Sequence, residues 1–259
     1  MKHILLTSLI AFYCLIAFGQ REAENFRAKQ LNNLNLSGTE FMSQLINFNY
    51  SRLFAHADNA IVFGFIGNNY QRIRIKFTSV IKSNVLANTY YVNGISMVKN
   101  NRCNFRGALT ISNIRKIKVT SSGTDGMYKN RGVRGQFILL GDYLLQENKN
   151  QNHSATFRGV FRSDFYIDKD GQARYDDIDS YADGYDNNQF VGIWSEYSGR
   201  LTERCNWGDY RIPNSGDLDI GAGDFSPNDK YLKNGWQNVR DASKSDAKAR
   251  QAEEAQWWK

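Results

Sequence analysis

Three segments of this 259-residue chain open with a phenylalanine, one further residue and a glycine, and then continue with apolar residues at alternate positions. The segments begin at Phe105, Phe157 and Phe190. Residues two apart in a strand point to the same face, so each ring lies beside its glycine. Glycine at such a position lets a neighbouring backbone or ring approach closely, and it occurs at bulges and barrel bends. The repeat predicts a mainly β protein, built as a single antiparallel β-barrel or a strongly curved β-sandwich.

Alternation with a period of two extends this pattern along the chain. Arg72, Arg74 and Lys76 alternate with apolar residues, which predicts a strand with one buried and one solvated face. Other strands are predicted from Ile61 onward and at Tyr90–Lys99, Cys103–Ile111, Gly135–Gln146, Thr156–Ile167, Gln172–Ile178, Gln189–Tyr197 and Leu201–Trp207. Over these short pieces the aromatic-x-Gly pattern resembles strands of calycin-type barrels, the lipocalins and avidins, and this resemblance assigns no site residue.

Helices are predicted at both ends of one β-rich domain covering residues 37–237. Ser37-Gly-Thr-Glu40 has the spacing of a capping box, and the apolar residues that follow predict a helix over Thr39–Phe54. Residues 20–36 are polar and amide-rich, and we expect a mobile or weakly helical segment there. Residues 238–259 are rich in Ala, Lys and Glu, which is typical of a polar helical tail.

The first nineteen residues have the order of a signal peptide. A basic start is followed by an apolar run over residues 4–18 and a small-x-small site before Gln20. The run is too short to predict a spanning helix, and no later segment resembles one. We therefore expect cleavage after Gly19, a mature chain without a transmembrane segment, and a secreted or periplasmic location.

Cleavage would leave two cysteines, Cys103 and Cys205. Because disulfides persist in an oxidising compartment, we expect these two to be bridged, and the alternative is a pair of buried free thiols.

The acidic segment, residues 164–229, carries thirteen Asp and two Glu against five Lys or Arg. Its aromatic and amide side chains suit both carbohydrate binding and core packing. The ligand-binding residues that we predict for a glycan or small amphiphile are Tyr185, Asn187, Asn188, Trp207 and Asp209.

A calcium site is one interpretation of the Asp168-Lys-Asp170-Gly171 turn and the nearby Asp176. Calcium favours several carboxylate and carbonyl oxygens, and an Asp-x-Asp-Gly turn offers two carboxylates to one side. The spacing does not match an EF-hand loop, and the same residues are good hairpin-turn chemistry. The two alternatives are therefore a metal site formed by Asp168, Asp170 and Asp176, and a plain hairpin turn.

The other half of the mature chain is basic. Residues 20–163 carry twenty Lys or Arg against seven Asp or Glu. A stripe of them could bind a polyanion such as an acidic glycan or could be a solvated strand face; its members are Arg72, Arg74, Lys76, Arg115, Lys116 and Lys118. Nucleic acid is disfavoured, because no nucleic-acid fold signature is present.

No catalytic signature appears in the sequence. The mature chain keeps only His56 and His153, and no HExxH, CxxC or phosphate-loop pattern occurs. Our first hypothesis is therefore a secreted, non-catalytic domain that binds a glycan or amphiphile through the acidic and aromatic loops. The alternative is a glycosidase-like hydrolase with a carboxylate pair, drawn from Asp209, Asp219, Asp224, Glu196 and Glu203.

Overall fold

The computed structural model describes residues 20–259, and the signal peptide predicted over residues 1–19 lies outside this range. The strands are β1 Leu36–Glu40, β2 Val62–Ile66, β3 Gln71–Lys82, β4 Thr89–Val98, β5 Asn101–Ile117, β6 Gly135–Glu147, β7 Ala155–Ile167, β8 Ala173–Tyr175, β9 Asn187–Glu196 and β10 Thr202–Asp209. The α-helices are α1 at 20–31, α2 Met42–Leu45, α3 Ser51–Phe54, α4 Gln237–Ser243 and α5 Ala247–Glu254.

Eight of the strands form one antiparallel sheet that closes in a ring, as the aromatic-x-Gly repeat predicts. The order around the ring is β5, β4, β3, β2, β10, β9, β7 and β6, and β6 pairs back to β5. The two short strands attach outside this order, β1 to β5 and β8 to β7. Every pairing in the ring is antiparallel. Most strands that are neighbours in the ring are also neighbours along the chain.

Aromatic and aliphatic side chains from alternate strand positions occupy the inside of the ring. Phe190 stacks on Trp207 with ring centroids 4.7 Å apart, and Tyr143 meets the same indole edge-on at 5.1 Å. Phe161 packs on the other side of Phe190. α3 lies against this core, since Leu53 and Phe54 are buried in it. Side chains, rather than an open channel, therefore fill the centre of the ring.

The glycines of the repeat lie where rings or backbones come closest. Gly159 on β7 faces Gly192 on β9, and the Tyr143 hydroxyl lies over both. A methyl group at Gly192 would collide with the Arg158 carbonyl oxygen and with that hydroxyl. The glycines of the repeat thus lie at positions where a side chain would keep neighbouring strands and rings apart.

The helix predicted over Thr39–Phe54 is wrong. Strand β1 takes the first two residues of this range, and two one-turn helices follow it. The Glu40 carboxylate accepts from the backbone amide of Ile114 at 2.6 Å and from the side chain of Asn113 at 2.9 Å. It also accepts from the Met42 amide at the start of α2 at 3.2 Å, so it links β1 and α2 to β5 and does not start one long helix.

Residues 20–31, expected to be mobile or weakly helical, form α1 on the outside of the sheet. Ala23 and Phe26 are buried against Val160 of β7 and Val191 of β9. Glu22 at the start of the helix accepts from the Arg204 guanidinium at 2.7 Å. An apolar contact and a charged one thus fix the helix to the ring.

The C-terminal tail covers part of the basic stripe. Glu253 of α5 is buried and accepts hydrogen bonds from Arg72 and Arg74 of β3, each with an N–O distance of 2.8 Å. Beyond the helix, the Trp258 ring lies 4.8 Å from the Lys76 ammonium. These three basic residues of the stripe therefore face the chain's own C-terminus, and they do not form the solvated strand face that was the alternative to a polyanion surface.

Candidate functional site

The predicted ligand residues meet at one end of the ring, below a crevice beside β3. β2 pairs with β3 through only two residue pairs, whereas β3 continues to Lys82. The segment that follows α3 lies over this gap, and the Lys76 ammonium approaches the Ala57 carbonyl oxygen at 3.4 Å. The free space at the floor of the crevice is about 30 Å³, enough for one water. Its lining comprises Phe54, Ala55, Ala57, Val62, Ile75, Lys76, Phe77, Asn188, Phe190, Trp207 and Asp209.

Asp209 lies at the floor of this crevice and is almost completely buried. One carboxylate oxygen accepts from the Tyr175 hydroxyl at 2.9 Å and from the Asn188 amide at 2.7 Å. Burial raises the pKa of Asp209 to about 7, although both hydrogen bonds favour the charged form. His56 stacks on the Tyr175 ring at 4.1 Å and covers it from outside.

A second buried carboxyl, Asp176, lies in the adjoining loop. It accepts from the Gln136 amide at 3.1 Å, and burial, followed by the charge of Asp164, raises its pKa to about 7. Tyr185 donates its hydroxyl to the Asp176 carbonyl oxygen. Asn187 joins the same network, since its amide donates to the Asp164 carbonyl oxygen at 3.0 Å.

The structure thus brings the five predicted ligand residues to one end of the ring, and internal hydrogen bonds occupy the polar side-chain atoms of all of them except Trp207. Asn187, Asn188, Trp207 and Asp209 are each at most 4% exposed, and Tyr185 is half-buried. Because buried polar groups are costly unless they are hydrogen-bonded, this network joins β7, β8, β9 and β10 at the end of the ring. The space left there is too small for a sugar ring.

The three predicted calcium ligands are not brought together. Asp168 closes a hairpin turn by accepting from the backbone amides of Asp170 and Gln172 and from the Arg174 guanidinium. Asp176 lies instead in the buried network. Within residues 20–259 no group of three or more acidic, histidine or cysteine side chains is placed to hold a metal ion. The segment from Asp168 to Gly171 therefore has the geometry of a plain hairpin turn.

The expected disulfide is absent from the described residues, and we correct that prediction. Cys103 and Cys205 are both buried free thiols. They belong to β5 and β10, which lie four strands apart in a ring of eight and do not pair with each other. Burial raises the pKa of the Cys103 thiol to about 11, so it stays protonated.

The carboxylates considered for hydrolysis lie at different places. Asp209 is at one end of β10 and Glu203 is near the other, paired with Trp194 of β9. Asp219, in the loop after β10, accepts from the Arg211 guanidinium at 2.8 Å. Asp224 is exposed in the same loop, and Glu196 ends β9. These positions form no common cleft with Asp209.

A larger concave site lies on the outer face of β4, β5 and β6. We call it the amide groove, and its volume is about 670 Å³. It is lined by Asn93, Asn104, Phe105, Arg106, Gln146, Glu147, Asn148, Lys149, Asn150 and Tyr197. Volumes of this size are typical of small-ligand sites, and five of the ten lining residues carry a side-chain amide.

The strand register sets the amide side chains side by side. Asn93 of β4 pairs with Arg106 of β5, and Arg106 pairs with Gln146 of β6, so all three project from the same outer face. Asn104 is two residues before Arg106 and shares that face. These four side chains are exposed and make no hydrogen bond to residues of the described chain.

Hydrogen bonds to backbone carbonyl oxygens and one cation–ring contact hold the far wall of the amide groove. The Tyr197 hydroxyl donates to the Glu147 carbonyl oxygen at 2.5 Å, and the Lys149 ammonium lies 4.8 Å from the Tyr197 ring. The turn after β6 is fixed to β5, because the Asn148 amide N–H donates to the Asn104 carbonyl oxygen at 2.8 Å. A rigid frame therefore presents flexible, unpartnered polar side chains.

This groove was not predicted from the sequence. Its residues come from three strands and two turns, and the exposed strand residues among them look like ordinary solvated positions of an alternating strand. The usable signal was the density of amides in Asn148-Lys-Asn150-Gln-Asn152, combined with the hairpin register that places Asn93 opposite Arg106.

No family model, no curated protein and no solved structure was found to match this chain. None of the helices between residues 20 and 259 has the length and apolar character needed to cross a bilayer.

Proposed function

We propose that this chain is an exported, non-catalytic β-domain that binds a glycan, and that the amide groove holds the ligand. Export rests on the signal-peptide order of residues 1–19, and the glycan rests on the groove. The observation that carries the proposal is the set of exposed, unpartnered amides presented side by side by β4, β5 and β6.

Amides suit sugars because of their hydrogen-bonding inventory. Each Asn or Gln side chain offers an acceptor oxygen and two donor hydrogens. A sugar hydroxyl is likewise a donor and an acceptor, so neighbouring hydroxyls can pair with both ends of one amide. In the predicted residues at the end of the ring these donors and acceptors are already used, for instance in Asn187 and Asn188.

A glycan array with the exported protein tests the proposal. We expect binding to one group of related oligosaccharides, and loss of at least tenfold in affinity when Asn93 and Gln146 are both replaced by Ala, because several hydrogen bonds of about 1 kcal/mol each are lost. Asn84→Ala, which removes an exposed amide in the turn between β3 and β4, is the matched control. Absence of binding to every glycan, or equal binding by the double variant, would refute the proposal.

A further inference from the structure

The amide groove contains two cations that no carboxylate neutralises. Arg106 and Lys149 both line it, and neither forms an ion pair with any residue between 20 and 259. On β3, by contrast, Arg72 and Arg74 are paired internally with Glu253. The groove therefore keeps two positive charges that no ion pair within residues 20–259 compensates.

The one acidic residue among the lining residues, Glu147, has its carboxylate engaged in hydrogen bonds inside the protein. Glu147 is 4% exposed, and its carboxylate accepts from the Trp194 indole at 3.2 Å and from the Ala155 backbone amide at 2.8 Å, away from the groove. Burial raises the pKa of Glu147, although three hydrogen bonds lower it. The protein therefore favours the neutral carboxyl more than water does. The backbone carbonyl of Glu147 accepts from the Tyr197 hydroxyl, which belongs to another residue of the lining.

Both cations affect Tyr197. Lys149 lies over its ring. Arg106 is close enough that its charge lowers the Tyr197 pKa, although burial and Glu147 raise it overall. Arg106 and Lys149 therefore line one groove together with Tyr197 and the amides of Asn104 and Gln146.

We propose that the ligand of the amide groove is an anionic oligosaccharide, whose acidic groups pair with Arg106 and Lys149 while its hydroxyls pair with the amides. Guanidinium groups bind carboxylates through two parallel N–H···O bonds, and ammonium groups add a point charge. A nucleic acid has phosphates for the cations but few hydroxyls to use the amide acceptors. This inference rests on the proposed function and deepens it.

Titration of the exported protein with matched probes tests the inference. The probes are a hexamer of galacturonic acid, the neutral hexamer of galactose and a single-stranded DNA hexamer. We expect the acidic sugar to bind about tenfold more tightly than the neutral one at low salt, and the difference to shrink as salt screens the charges. The DNA hexamer is expected to bind more weakly than the acidic sugar.

Variants separate charge from hydrogen bonding. Arg106→Gln with Lys149→Gln should lower the ratio of acidic to neutral affinity from about tenfold to about one, because the substitutions remove both charges and keep exposed polar groups there. Arg52→Gln, an exposed arginine on α3, is the control. Equal binding of acidic and neutral hexamers, or tighter binding of DNA, overturns the inference and leaves glycan binding standing. Failure of both sugars to bind overturns the inference and the proposed function together.

Discussion

At the scale of single residues, Asp209 couples the stability of the ring to pH. Its pKa is raised by burial to about 7 in the native chain, whereas an unfolded aspartate titrates near pH 4. Between these values the native chain holds a proton that the unfolded chain has released, so the free energy of unfolding falls as pH rises. We expect this contribution to reach about 1.4 kcal/mol per pH unit.

Replacing Asp209 by Asn should flatten that dependence. The amide keeps an acceptor for the Tyr175 hydroxyl and for Asn188, and it does not titrate. Urea denaturation at intervals between pH 4 and pH 7 measures the slope, and part of it should remain because Asp176 has the same raised pKa. Asp170→Asn, on an exposed turn, is the control. An unchanged slope in the Asp209 variant would show that burial does not hold its proton.

At the scale of elements, the buried carboxylate of Glu253 attaches helix α5 to β3. Glu253 is buried between Arg72 and Arg74, and the two guanidiniums outweigh the effect of burial, so its pKa is lowered. Glu253→Gln would leave two guanidiniums without their counter-charge in a buried place, a change that costs about 3 kcal/mol.

The expected result is local opening of α5. Backbone amides of Ala247–Glu254 should exchange with solvent about a hundredfold faster in Glu253→Gln, while amides of β6 and β7 keep their protection. Glu254→Gln changes the adjacent, exposed carboxylate and serves as the control. If α5 keeps the same protection in both variants, this carboxylate does not hold the tail.

The elements show where sequence reasoning succeeds. The long strand β3 was predictable, because one of its faces lies inside the ring and apolar residues therefore repeat at every second position. The short strand β1 was not, since Glu40 has the local spacing of a helix cap and its true partner, Ile114, is 74 positions away. The burial of Glu253 was not predictable for the same reason, because its partner Arg72 is 181 positions away.

The candidate sites were partly predictable for the same physical reason. Asn187 and Asp209 were chosen for their residue types, and the pairing of β9 with β10 does place them opposite each other. Sequence could not tell that their polar atoms are used inside the ring. It also could not tell that Asn93, Arg106 and Gln146 align, because that depends on the register of three strands at once.

At the scale of the whole molecule, closing eight strands around aromatic side chains requires close approach at a few glycines. Gly192 is the clearest case, because a methyl group there would meet the Arg158 carbonyl and the Tyr143 hydroxyl, one on the neighbouring strand and one inside the ring. Backbone cannot move aside as a flexible side chain can. We therefore expect Gly192→Ala to lower the free energy of unfolding by about 3 kcal/mol or more.

Gly38→Ala is the matched control for this effect. Gly38 lies on β1, outside the ring, and a methyl group there has no neighbouring atom within 4 Å. Its substitution should change stability by less than about 0.5 kcal/mol. Urea denaturation followed by tryptophan fluorescence compares the two, since Trp194 and Trp207 are buried in the core that the ring encloses. Equal stability of the two variants would mean that β7 and β9 can separate at Gly159 and Gly192 without loss, and that ring closure does not depend on the glycine of the repeat.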